Sequence, residues 1–443
     1  MRKFIAVAAL ATVGLLPLAC DKDDNDTNDN GAGNPAINPP GTSLTGELPK
    51  ADPSFDAKKL SQVHGWAQGL KPTAPTGFTV TEFASGLDNP RWTYVLPNGD
   101  VLVSEANTLN SGAQEVNLDP AKAARRGSSA NRVTLLRDAD GDGIAEFKTT
   151  LIEGLSQPLG ITFLNNQLYI ANTDSLLRFP YTVGQEKLDL ASGTKILDLP
   201  KGGYNNHWTR NLLTKPDGSK IYVSVGSSSN IAEHGMTEET RRANILEINP
   251  DGSGERVFAS GLRNPVGMDW APGTNELWTV VNERDYLGED LVPDYLTNVV
   301  DQGFYGWPYS YFGANPDPRL AGQRMDLVAQ AIVPAQAVGA HTASLGMTFY
   351  KAAAFPAKYQ NGVFVSQHGS WNKNDIAGYK VIFYPFANGQ VSGPAEDFLT
   401  GFVINAATAD VYGRPMGVTV GPRGELLVAD DSGDKIWAVK AAP

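Results

Sequence analysis

Short apolar runs alternate with turn residues along most of this chain, and the pattern repeats. "ASGLDNPRWTYVLPNGDVLVSEAN" begins at Ala84, "EGLSQPLGITFLNNQLYIANTD" at Glu153 and "ASGLRNPVGMDWAPGTNELWTVVNERD" at Ala259. Each reads Gly-Leu-x-Asn/Gln-Pro, an apolar strand, a turn and a second apolar strand. Weaker copies begin at Thr209, Ala343 and Gly413 and keep the second half of the unit. Alternating apolar residues around a Pro/Asn/Asp-Gly turn predict a β-hairpin. One hairpin cannot bury both of its faces, whereas radial blades stacked face to face can. Six copies at a spacing of roughly 50–80 residues therefore predict an all-β chain with a six-bladed β-propeller over residues 75–443. Helical periodicity is nearly absent. The stretch "FDAKKLSQVHGWAQGL" (Phe55–Leu70) is the best helix candidate, within a short packing segment (55–74) ahead of the first blade.

Composition adds to this picture without redirecting it. The 46 glycines and 29 prolines suit a turn-rich β chain of 443 residues. A formal net charge of −12 argues against nucleic acid as a partner. "MRK" followed by "FIAVAALATVGLLPLA" reads as a basic and then an apolar signal region, ending at Cys20, the single cysteine. This architecture predicts a lipoprotein signal peptide over 1–20, export to a bacterial envelope, and a lipid anchor on Cys20 as the chain's link to a membrane. The acidic, Asn/Gly/Pro-rich stretch over 21–54 is expected to be a tether, because it has too few apolar residues to offset the cost of ordering.

In a propeller, the residues just before each innermost strand converge at one end of the central axis. Here they are Asn89 and Arg91, Gln157, His207 and Arg210, Arg263 and Asn264, His341, and Arg414. This set is rich in arginine, histidine and asparagine and poor in acids. It predicts a positive funnel for a planar or multiply anionic ligand, since guanidinium forks match carboxylates. His64 and His234 fall outside the register and are expected at the surface, and Trp92 and Trp270 are expected to pack blades. A separate stretch, "RDADGDGIAEF", sets Asp138, Asp140 and Asp142 at alternating positions before Gly143. It resembles the first half of a calcium loop, with Glu146 as a further oxygen donor, or else an Asp/Gly-rich hairpin turn.

"NNHWTRNLL", "SGLRNPVGMDW", "VVNERDYLGEDLVPDYL", "GFYGWPYS", "VSQHGSWN" and "YGRPMGVTVGPRGELLVADD" together resemble the glucose/sorbosone dehydrogenase family, most closely its sorbosone dehydrogenase branch. These are six-bladed propellers that oxidise sugars with pyrroloquinoline quinone (PQQ) and calcium. The resemblance implies that His207 is the base that takes a proton from a sugar hydroxyl, a task suited to imidazole. It implies Arg263 and Asn264 at the reactive carbonyl of PQQ, Gln157 against substrate and cofactor, and Arg210 and Arg414 on the cofactor side. It also implies calcium on the main-chain carbonyls of Arg284 and Asp285. Three departures stand out. Asn206 occupies the place of the base's acidic neighbour, His368 or Trp371 stands where a cofactor-binding lysine is usual, and Arg284-Asp285 replaces Gly-Pro. The expected partners are a small sugar and an external electron acceptor, a quinone or cytochrome, since the chain has no haem-attachment motif. A calcium-dependent lactonase and a non-catalytic binding propeller are the competing readings.

Overall fold

The computed structural model describes residues 48–109 and 126–442. Cys20, the signal segment and most of the tether lie outside the described residues. The chain is nearly all β, and among the described residues it forms six four-stranded antiparallel sheets. Their first strands are Pro90–Val95, Ile161–Leu164, Arg210–Thr214, Pro265–Trp270, Ser344–Phe349 and Pro415–Val420. Each falls in one of the six sequence copies. These first strands touch one another in chain order, and the last returns to touch the first. The sixth sheet is completed by Phe78–Ala84, paired antiparallel with Lys435–Ala441, so both ends of the repeat region are stitched into one sheet.

The glycine that recurs at four of the strand starts, in Pro-x-Gly at Gly160, Gly267 and Gly417 and in Ser-Leu-Gly at Gly346, has a packing cause. A Cβ added at Gly160 would lie 2.5 Å from Leu212 N, and one at Gly267 2.5 Å from Met347 N. At Gly346 it would lie 2.4 Å from Met416 O, and at Gly417 2.5 Å from Arg91 O. Each glycine lets its strand approach the backbone of the next sheet, a contact that no side chain would allow. The residue before each glycine points to the centre. Leu159, Val266, Leu345 and Met416 join Trp92 in one buried cluster fed by five sheets. This apolar plug marks the axis, and the polar pre-strand residues sit at one end of it.

The helix expected over Phe55–Leu70 does not form. Residues 48–66 run as an extended strap across the loops at that same end. Asp52 N donates to Leu287 O at 2.9 Å, Lys59 N to Trp371 O at 2.7 Å and Asn372 Nδ2 to Ala57 O at 2.7 Å. Gln62–Val63 pairs in parallel with Asp410–Val411. Phe55 stacks on His341, and Trp66 packs on Tyr412 and Trp437 while its Nε1 donates to Asp430 at 2.6 Å. These apolar residues are seated one by one in separate grooves, and the backbone is hydrogen-bonded outward to loops, which a helix would forbid. The packing begins at Leu48 and Ala51, against Leu287, Leu291 and Tyr311, ahead of the expected end of the tether at residue 54.

Candidate active site at the axial end

His207 sits half-buried just ahead of the third sheet. Its Nδ1 lies 2.9 Å from both the carbonyl and the hydroxyl of Ser227, and no described residue bonds to Nε2. Burial, followed by the nearby Arg263 charge, pushes the imidazole well below the usual histidine range, so it is neutral at pH 7. Gly226 explains how Asn264 comes so close. A Cβ there would lie 2.4 Å from Asn264 Oδ1 and 2.5 Å from His207 Cβ. Asn264 Oδ1 is buried with no hydrogen-bond donor among the described residues. An orphaned acceptor is costly unless a ligand satisfies it.

The arginines are largely committed to the protein. Arg210 is fully buried and donates to the carbonyls of His207, Thr209 and Pro200 and to Asn205. It clamps the loop that carries His207 and has a local use for its charge. Arg263 donates to the carbonyls of Asn230, Asn282 and Glu283, and lies 3.5 Å from Asp285. Arg414 is half-buried, with Nε on the His368 carbonyl and Nη2 on that of Gly369. Arg91 pairs with Asp431 at 2.5 Å and lies over the Trp208 ring at 5.0 Å, joining the first, sixth and third sheets. Gln157 and Asn89, both in left-handed conformation, donate to the carbonyls of Asn107 and Asp431 respectively. Trp371 meets Tyr286 edge-on at 5.4 Å.

The expected scarcity of acids does not hold. Asp431 is buried between Arg91 and His368, whose Nε2 lies 2.9 Å from it. Burial alone would raise the Asp431 carboxyl, but His368 and Arg91 hold it far below the carboxylate range. Asp285 faces His341 Nδ1 at 3.3 Å as well as Arg263. His341 Nε2 meets the Gly288 carbonyl at 2.9 Å. Burial works against the charge on His341, but Asp285 and Gly288 together raise its pKa, and both ring nitrogens face acceptors. Beneath these loops, Asp294 accepts from Glu283 N, Asn282, Thr342 and Ser344 N, tying the 282–285 loop to the 341–344 loop. The repeat register takes in only the residues before the first strand of each hairpin, and the family resemblance adds Asp285 for its carbonyl alone. Asp431, the Asp285 carboxylate and Ser227 follow the second strand, which ends at the same side, so "VADDSGD" and "VGSSSN" carry the further signal.

Burial and the neighbouring Arg414 lower His368 to about 4. In the folded chain it is neutral, with Nε2–H donating to Asp431. An unfolded histidine takes up its proton near 6.5, so the unfolded chain binds more protons between these values and stability falls as pH drops from 6.5 towards 4. Chemical melts across that window are expected to show a shallower pH slope for His368→Gln than for the wild type. An unchanged slope would contradict a neutral His368.

The two expected metal sites differ in kind. Asp138, Asp140, Asp142 and Glu146 do come together, with oxygen atoms within 4.8 Å of one another. Asp138 already accepts from Gly141 N, Gly143 N and Arg423, and Glu146 from Ala139 N, so the protein caps this turn with its own donors. In the other loop, the Arg284 side chain is wholly buried on Glu283, Asp317 and the carbonyls of Pro308 and Ser310. No described residue donates to the Arg284 carbonyl. The Asp285 carbonyl accepts from Asn230 Nδ2 at 3.1 Å and Arg319 Nη1 at 2.9 Å. A calcium ion would find one free carbonyl there and one that is already engaged.

Comparison with known proteins bears on the fold and the family. An uncharacterized protein of Borreliella burgdorferi is 29% identical over 66% of this chain and 77% of its own length. The pyrroloquinoline quinone-dependent pyranose dehydrogenase of Coprinopsis cinerea is 24% identical over 54% of this chain, and the match spans 40% of that protein. The holo form of a Coprinopsis cinerea pyranose dehydrogenase PQQ domain superposes with a TM-score of 0.67 at 20% identity, covering 86% of this chain and 100% of that one. The calcium structure of the Trichoderma reesei family AA12 enzyme gives a TM-score of 0.69 at 19% identity, covering 86% and 98%. These superpositions establish the shared fold. The TrAA12-like family model matches residues 72–299 and 325–442, taking in all six sheets, and the chain belongs to that family.

Proposed function

We propose that this chain is a six-bladed propeller oxidoreductase that oxidises an aldose or related sugar with PQQ. The observation that carries this reading is His207, a neutral imidazole with Nδ1 held by Ser227 and Nε2 open, packed beside the unsatisfied Asn264 Oδ1. His207 Nε2 would take the proton of the sugar hydroxyl undergoing oxidation. PQQ, when bound, supplies the two-electron acceptor. Arg414 has donor capacity left for a cofactor carboxylate, and Asn264 and His368 lie on the same side. Arg263 would hold positive charge close to where negative charge develops. Calcium would draw on the Arg284 carbonyl, and Asn230 or Arg319 would have to release that of Asp285. Asp431 and Asp285 are spent on arginine and histidine partners, which does not favour a lactonase. The segment up to Cys20 supports export and a lipid anchor, with electrons leaving to an external quinone or cytochrome.

The test is dye reduction by purified protein supplied with PQQ and calcium, over a panel of aldoses, pyranoses and sorbosone. Sugar-dependent reduction that requires PQQ is expected. No reduction with any sugar, in protein that shows no PQQ spectrum, would overturn the reading.

A further inference from the structure

The base in this site stands without the carboxylate that would ordinarily orient it, because the preceding residue is Asn206. Ser227 takes over that role, and its hydrogen bonds fix the result. The Ser227 hydroxyl donates to the Ser229 carbonyl at 2.7 Å, which uses its one proton. Towards His207 it can therefore only accept, as does the Ser227 carbonyl. Two acceptors converging on Nδ1 require a proton there, so the neutral ring carries N–H at Nδ1 and a lone pair at Nε2.

The serine is itself locked. Its N–H donates to the Arg263 carbonyl at 2.7 Å, and Asn206 N donates to the Ser228 carbonyl at 2.9 Å. The next two residues are pinned by buried Glu239, which accepts from Ser228 N, Ser228 Oγ and Ser229 Oγ. Asn206 thus acts through its backbone, and the single acid in the relay is kept one shell away from the imidazole.

We propose that Ser227 is the positioning residue of His207, fixing the Nδ1–H tautomer through two neutral acceptors in place of a carboxylate. This rests on His207 being the base of the proposed reaction. The charges around the ring agree with it. Arg263, ahead of the fourth sheet, and Arg210, on the third, both disfavour an imidazolium, and Glu233 on the following loop opposes them. A carboxylate in place of Ser227 would reverse the balance, since an opposite charge within about 4–6 Å shifts a pKa by about 1–3 units.

The test is nitrogen-15 NMR of the histidines in cofactor-free protein, with the His207 signals identified by their loss in His207→Gln. In the wild type, His207 is expected as the Nδ1–H tautomer, titrating below the ordinary histidine range. An Nε2–H tautomer, or an ordinary titration, would overturn the proposal without any variant. In Ser227→Asp the titration is expected to rise by about one unit or more, and the acid limb of kcat/KM in the loaded enzyme should rise with it. An unmoved titration in folded Ser227→Asp would overturn the role of Ser227. A titration that moves while the acid limb stays put would support the Ser227 relay and instead remove His207 as the base.

Discussion

His207→Ala is expected to lower kcat/KM for sugar oxidation by about 10²–10⁴-fold, the usual contribution of a positioned general base. PQQ binding should persist, because Arg414, assigned to the cofactor, is held by other partners, and the Asn264 backbone is fixed by Asn282 N on its carbonyl. Arg414 is anchored by the His368 and Gly369 carbonyls and by its own N–H on Asp430. The fold should also persist, because the Ser227–Ser229 turn keeps its bonds to Arg263 and Glu239 when the imidazole is gone. The measurement is steady-state kinetics alongside a PQQ titration on one preparation. Near-normal turnover would rule His207 out as the base. Lost turnover with lost binding would instead make it a cofactor-holding residue.

Asp431→Ala should cost about 3–5 kcal/mol of stability, since it leaves the buried Arg91 cation without its counter-charge. Arg91 and His368 both lean on this carboxylate, and Arg414 lies close enough to feel both it and Arg91. Its removal would leave the Arg91 guanidinium with an already unsatisfied Nε and only the Trp208 face beside it. Denaturant melts read the loss directly. Asp198→Ala is the control, because it breaks only the exposed pair with Lys195 and should leave stability nearly unchanged. Equal stability of Asp431→Ala and the control would mean that the buried cluster is not held by charge.

These two residues mark the edge of what the sequence made legible. His207 was readable because its copy keeps the strand-turn-strand half of the repeat, "TRNLLTKPDGSKIYVSVG", which fixes where the first strand begins. In four other copies a glycine at that start is demanded by strand-to-strand contact, at Gly160, Gly267, Gly346 and Gly417. Asp431 was missed because the register was read only on one arm of each hairpin. An antiparallel hairpin brings the end of its second strand to the same side, so the doublet Asp430-Asp431 was as visible as Arg414. Arg210 shows a different limit. Its partners are mostly main-chain carbonyls, which any sequence offers, so nothing in "NNHWTRNLL" separates an arginine that clamps a loop from one that holds a ligand. Residues 55–70 failed for a third reason. Their apolar side chains are spaced by the grooves of other sheets, and that spacing passes for a helical face until those grooves are known.

The central claim is that the axial end around His207 oxidises a sugar with PQQ. Anaerobic mixing of the PQQ- and calcium-loaded protein with excess pyranose, followed in the visible and near-ultraviolet, tests it with no external acceptor present. Loss of the oxidised-cofactor absorption within one turnover, fast in the wild type and slowed in His207→Ala, is the predicted result. A loaded wild-type protein whose spectrum stays unchanged with every sugar tried would contradict it.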